Sequence, residues 1–237
     1  MGELESMDAS RTVALIGEDG LERLQNAAVA VFGIGGVGSY AAEALARSGI
    51  GTLVLVDKDV VKPSNINRQL VALNSTVGRS KASVMKERIL DINERATVIA
   101  HEMFYTRELN DMLLGGGVDY VVDAIDSIDS KVDLIASCHE RGIPIVSCMG
   151  AGNKLHPECF DVMDIHKTSH DPVAKIVRKR LRDKGIKRLD VVCSREEPVD
   201  AHIVEDGQRC PASISFVPSA AGLIAAGVAI RNLINKE

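Results

Sequence analysis

The run Val29-Ala-Val-Phe-Gly-Ile-Gly-Gly-Val-Gly-Ser39 constrains this chain more than any other segment. A short apolar stretch ends in glycines, and an alanine-rich segment from Ser39 to Ser48 stops at Gly49. That order reads as strand, tight turn, helix and stop, and Thr52 to Val56 supplies a second strand. Together they make a βαβ unit of about 30 residues. The alternation continues with helices near 80–93, 107–114 and 130–141 and strands near 97–100, 120–122 and 144–147.

Strands alternating with helices predict an α/β fold with a doubly wound, mainly parallel, Rossmann-like sheet. After Gly150-Ala-Gly152 the pattern changes to short segments, Phe160 to Ile165 and Leu189 to Val192, around a strongly basic helix. A polar loop from 194 to 208 and a final apolar helix from Ser219 to Asn235 complete a C-terminal extension. At 237 residues the chain fits a single domain: an N-terminal helical arm over 1–27, a nucleotide-binding core over 28–150, and a substrate-facing, dimer-supporting part over 151–237. The uncharged stretch from Pro211 to Ile230 is broken by Pro218 and built mostly of small residues, which predicts a buried helix with no membrane insertion.

Five cysteines, Cys138, Cys148, Cys159, Cys193 and Cys210, form no Cys-x-x-Cys pair, so reduced thiols in the cytoplasm are expected and no zinc is. A net charge of −5 argues against indiscriminate binding to nucleic acid, while leaving room for a local basic patch.

Gly33, Gly35, Gly36 and Gly38 sit between a strand and a helix, where absent side chains let phosphates reach the backbone and the helix N-terminus offers N–H donors. Asp57 ends the second strand about 20 residues beyond the loop, where an acidic side chain meets ribose hydroxyls. These features alone fit NAD and ATP equally. Two cations then favour a triphosphate: Arg68 within Asn65-Ile-Asn-Arg-Gln69, and Lys81 opening a helix after Gly78, as charge-assisted phosphate donors that hydride transfer does not need. Asp123-Ala-Ile-Asp126-Ser-Ile-Asp129 follows a strand and supplies a carboxylate for Mg²⁺, Asp126 being chosen, with Ser127 or Asp129 suited to start the next helix.

The glycine loop, Asp57-x-Asp59, Ser64-Asn65-x-x-Arg68-Gln69, Val77-Gly78-x-x-Lys81 and Asp123-Ala-x-Asp126 resemble the ubiquitin-activating-enzyme-like adenylyltransferases over about residues 11 to 150. The resemblance implies that Asp57 binds ribose, that Asn65, Arg68 and Lys81 hold phosphates, and that Asp126 serves the metal. Asp59, Gln69 and Ser127 fall in the same implied ATP site. In that family an N-terminal arginine reaches the triphosphate held by the other subunit of a homodimer. Arg11, four residues before Leu15-x-Gly17, sits where such a residue is expected. The implied catalytic set is Arg68, Lys81, Asp126 and Arg11.

Further segments narrow the branch. Tyr40 to Gly51, Val122 to Ser127, Gly150-Ala-Gly152, Asp164-x-x-Lys167-Thr168-x-x-Asp171-Pro172 and Ser213 to Ser219 are similar to the tRNA threonylcarbamoyladenosine dehydratases, extending the resemblance over nearly the whole chain. The activity this implies is cyclisation of the threonylcarbamoyl group on the adenosine next to the anticodon. ATP would adenylate the substrate carboxylate, and a tethered atom of the ureido group would close the ring with release of AMP. Because ring closure is intramolecular, no enzyme cysteine is required, and Cys193 and Cys210 are expected to be structural or incidental.

The basic segment supports a nucleic-acid substrate independently. From Lys175 to Arg188 eight of fourteen residues are Lys or Arg, on a helix capped by Asp171, begun by Pro172 and stopped by Gly185. Val173, Ile176, Val177 and Leu181 form the expected apolar stripe, leaving Lys175, Arg178, Lys179 and Arg182, with Lys167 ahead of the helix, to contact tRNA. Two other readings stay open: an adenylyltransferase activating the C-terminus of a ubiquitin-like sulfur carrier, and an ATP-sensing module without chemistry. A sulfur-trafficking protein partner is a further expectation.

Overall fold

A computed structural model describes residues 7–205 and 207–235. The first residues of the predicted arm, 1–6, together with Asp206 of the polar loop and the last two residues, lie outside the described residues.

Along the chain run α1 (Ser10–Asn26), β1 (Ala28–Phe32), α2 (Gly38–Arg47), β2 (Thr52–Val56), α3 (Lys81–Ile92), β3 (Thr97–His101), α4 (Asn110–Leu114), β4 (Tyr120–Asp123), α5 (Ile128–Arg141), β5 (Ile145–Cys148), β6 (Phe160–Asp164), α6 (Pro172–Asp183), β7 (Asp190–Ser194), β8 (His202–Glu205), β9 (Gln208–Pro211) and α7 (Phe216–Ile234). Seven strands form one sheet in the order β3-β2-β1-β4-β5-β7-β6, parallel throughout except for β6, which pairs antiparallel with β7. The order reverses between β1 and β4, opening a crevice at their carboxyl ends, where open α/β sheets place ligands.

Both faces of the sheet are covered at its centre, so β1 and β2 read as continuous apolar runs. Val29, Val31, Leu53, Leu55 and Val122 point into a core beneath α2, α3 and α7, whereas Ala30, Phe32, Val54, Val56 and Val121 point to the opposite face. A second cluster joins α5, α6 and β7 through Val132, Ile135, Val177, Leu181 and Val191. Helix α7 is long and apolar enough to cross a membrane by composition. Here it is a core helix, burying Val217, Ala221, Ala225, Ala226 and Ala229. Gly222 lets it touch α2, because a Cβ there would lie 2.2 Å from the Val37 carbonyl oxygen.

Gly17, at φ 78°, divides α1 into two segments. Three expectations are corrected. The polar loop holds an antiparallel hairpin, β8–β9, which pairs only with itself and so lacks the buried face that gives a strand its alternation. Helix α7 starts ahead of Pro218, which is accommodated in its first turn, where a proline removes no needed N–H. On α6, Ile176 is 42% exposed and Ala174 is buried in its stead beside Val177 and Leu181.

Candidate nucleotide site

The crevice is built around the glycine loop. Gly33 follows β1 at φ 85°, and a Cβ there would sit 2.6 Å from the carbonyl oxygen of Ala124, just past β4. A Cβ at Gly38 would overlap the Gly33 carbonyl oxygen at 1.7 Å. These glycines therefore fold the turn tightly against β4 and start α2 directly beneath it. Among the described residues the N–H groups of Gly35 and Gly36 meet no internal acceptor, leaving donors at a helix N-terminus free for an anion.

Asp57 closes one side of the turn. Its carboxylate accepts from the Ile34 N–H at 2.5 Å and from the Asp59 N–H at 2.8 Å. Burial pushes its pKa up, and nearby Lys81 and the two N–H bonds partly offset this. Lys81, 5% exposed at the start of α3, donates to Asp59 at 2.9 Å. Its ammonium is paired with this half-exposed carboxylate and lies close to Asp57.

The segment from 63 to 69 forms the facing wall. Gln69 is buried, with its amide nitrogen 3.7 Å from the position a Cβ would take on Gly35. Its Oε1 is a buried acceptor with no hydrogen-bond partner, an orphan a bound nucleotide can satisfy. The Arg68 side chain packs against Gly36, and its guanidinium donates to the Ser64 carbonyl at 2.9 Å and to Asn67 Oδ1 at 2.8 Å. Asn65 is buried, and its side-chain Oδ1 accepts from the Lys62 N–H at 3.0 Å, which shapes this wall.

The three acids after β4 separate clearly. Asp123 is fully buried and accepts from Lys131 at 2.8 Å, Ser147 Oγ at 2.5 Å and the Ile125 N–H at 3.0 Å. Asp129 pairs with Arg180 on α6. Asp126 is exposed, and among the described residues no hydrogen bond or ion pair engages it, so its oxygens are the ones available to a hard cation. Ser127 occupies the N-cap position of α5 without making a side-chain capping bond.

Arg11 is exposed on the first segment of α1, and among the described residues nothing on this chain holds it. Lys167, Lys175, Lys179 and Arg182 are exposed on or just before α6. Arg178 is turned inward, donating to the Thr168 carbonyl at 2.8 Å and hydroxyl at 2.6 Å. The structure thus splits the basic set into a row facing solvent and one cation used to anchor the helix. Cys193 is buried and its thiol is pushed up to about 12 by burial, which denies it thiolate character near neutral pH, while Cys210 lies half-buried in β9.

Spacing did not expose two buried ion pairs. Lys131 meets Asp123, and Lys154 meets Asp171 at 2.7 Å, with all four side chains almost wholly inaccessible. Each lysine sits in a segment that sequence alone assigns to a helix surface or a loop, and only the packed sheet edge brings it to its partner.

A glycine turn at a helix start, an acidic strand end, a buried lysine and an orphaned amide acceptor define a nucleotide-binding α/β protein of Rossmann-like fold. The chain belongs to the ThiF family, whose sequence profile matches residues 8–237. It is 48% identical over 238 residues to the tRNA threonylcarbamoyladenosine dehydratase of Bacillus subtilis, covering 95% of this chain and 94% of that protein. To the protein of the same name from Escherichia coli it is 42% identical over 207 residues, covering 84% and 76% respectively. The crystal structure of the E. coli tRNA N6-threonylcarbamoyladenosine dehydratase in complex with ATP matches with a TM-score of 0.89 at 38% identity, covering 96% of this chain and 93% of that one. A molybdopterin-synthase adenylyltransferase from Salmonella typhimurium is 31% identical over 149 residues, covering 62% of this chain.

Proposed function

We propose that this chain is an ATP-dependent dehydratase that cyclises threonylcarbamoyladenosine in tRNA. The observation that carries the reading is the joint presence of a nucleotide crevice with an unsatisfied Gln69 acceptor and an exposed cationic row on α6, in a chain that matches dehydratases nearly end to end.

In this reading residues 28–150 bind ATP and residues 151–237 face the tRNA. The free N–H groups of Gly35 and Gly36 cradle phosphate oxygens, Asp57 takes the ribose, and Lys81 offsets charge from behind the loop. Arg68 leaves its local carbonyl partners to reach the triphosphate, with Asn65 and Ser127 lining the wall. Mg²⁺, held through Asp126, would screen the repulsion between the phosphates and the incoming carboxylate. The substrate carboxylate attacks the α-phosphorus and expels pyrophosphate. The ureido group, already tethered nearby, then attacks the activated carbonyl and expels AMP, so the net change is loss of water from the substrate.

Among the described residues no partner engages Arg11, and we assign it to the site of a second copy in a homodimer, where it would add a cation to the triphosphate. A sulfur-trafficking partner and a cytoplasmic location belong to the same proposal.

The test is incubation with labelled ATP and tRNA carrying threonylcarbamoyladenosine, and separately with ubiquitin-like carrier proteins, while following AMP and pyrophosphate. AMP that forms only with the modified tRNA supports the reading. Release that requires a carrier protein replaces it with carrier adenylation, and release with neither leaves a nucleotide sensor.

A further inference from the structure

Two buried lysines grip the carboxyl end of β5 on either side of Met149. Lys131 donates to the Cys148 carbonyl at 3.0 Å and Lys154 to the Gly150 carbonyl at 2.5 Å. Each lysine also holds a buried aspartate, and each aspartate fixes the start of a different segment. Asp123 binds the Ile125 N–H and so sets the turn that presents Asp126. Asp171 receives Lys154 on Oδ2, while its Oδ1 accepts from the Ala174 N–H at 2.8 Å, capping the basic helix. Gly150 is part of the same contact: a Cβ there would stand 2.8 Å from Asp171 Oδ2.

Capping α6 needs only an acceptor, and an exposed serine or asparagine would supply one. Burying a full ion pair is costly unless geometry is gained from it. The gain on view is register: Lys154 ties the helix cap to the carbonyl of Gly150, at the same sheet edge that carries the nucleotide turn.

We propose that Lys154 and Asp171 are positioning residues which lock the basic helix to the end of β5, so that a tRNA held on α6 presents its reacting carboxylate to the nucleotide crevice. The inference rests on the dehydratase reading for its substrate, and on geometry alone for the lock.

The experiment uses the full chain with the double substitution K154M/D171N, which removes both charges while asparagine keeps the cap acceptor. Amide hydrogen exchange over 172–183 is measured alongside KM for ATP, KM for modified tRNA and kcat for AMP release. The expected result is faster exchange in the first turns of α6, an unchanged KM for ATP, and a loss of about tenfold in kcat/KM for tRNA, with the melting transition retained. Unchanged exchange together with an unchanged tRNA kcat/KM would overturn the proposal. If the double variant does not fold, Gly150→Ala, whose methyl group would press on Asp171 Oδ2 while both charges stay in place, is read by the same criteria. If the wild-type chain releases no AMP with modified tRNA, the dehydratase reading falls while the exchange comparison still decides whether the pair seats the helix.

Discussion

The nucleotide turn and the basic helix present hydrogen-bond donors and charge in opposite ways. At the turn, backbone meets backbone with no room to spare, since a Cβ on Gly38 would stand only 1.7 Å from the Gly33 carbonyl oxygen, and Asp57 and Lys81 are each tied to a particular neighbour. On α6 the cations stand largely exposed along one face, and among the described residues only Arg178 and Arg180 of this helix are committed to partners within the chain. The first is a rigid cradle whose parts fail together. The second is a field whose parts add, and it is sensitive to salt.

The sharpest way to break this contrast is Gly38→Ala. Accommodating the methyl group requires moving the backbone of β1 or α2, so a loss of at least about 4 kcal/mol is expected in chemical denaturation. A wild-type unfolding curve would show that the turn is more pliant than its contacts indicate. Next comes Asp126→Ala, expected to leave the circular dichroism spectrum intact while slowing tRNA-dependent AMP release by about 100- to 1000-fold. Full turnover would move the metal assignment elsewhere.

A smaller effect tests the additive side. Substituting Lys175, Lys179 and Arg182 together by alanine should weaken tRNA binding about tenfold at low salt and flatten the slope of log affinity against log salt by about 2 to 3, with ATP affinity unchanged. Arg178→Ala should instead cost stability, through its lost Thr168 bonds, with little change in that slope. An equal slope change for both would erase the distinction between anchoring and facing cations.

The smallest effect concerns Asp57. Burial raises its pKa from the ordinary 3.8, so the native state holds this proton more tightly than the unfolded chain does. The resulting stability is present below the ordinary value and is lost as pH rises through the folded one. Asp57→Asn should flatten that part of the stability–pH curve, measured by denaturation between about pH 3 and 6; a curve of unaltered slope there would refute the burial effect.

The same contrast explains what could be read from sequence. The strands of the core and the ends of α6 were legible because period and caps are local properties: Asp171, Pro172 and Gly185 bound the helix as expected. The β8–β9 hairpin was not, since its exposed Ile203 and Val204 bury no face that would impose alternation. The sequence singled out Asp126 among Asp123, Asp126 and Asp129 without showing what sets the three apart. The difference between them lies in Lys131 and Arg180, which reach them only after α5 and α6 have packed.

The last helix has a consequence for how the site comes into being. Pro218 lies against Gly36, and Gly222 seats α7 on the backbone of Val37 and Ala41, so an early-encoded turn rests on a late-encoded helix. A nascent chain can pair its first strands long before this support emerges from the ribosome. ATP affinity should therefore arrive late in synthesis, when α7 docks, which delays nucleotide capture until the basic helix α6 has already been made.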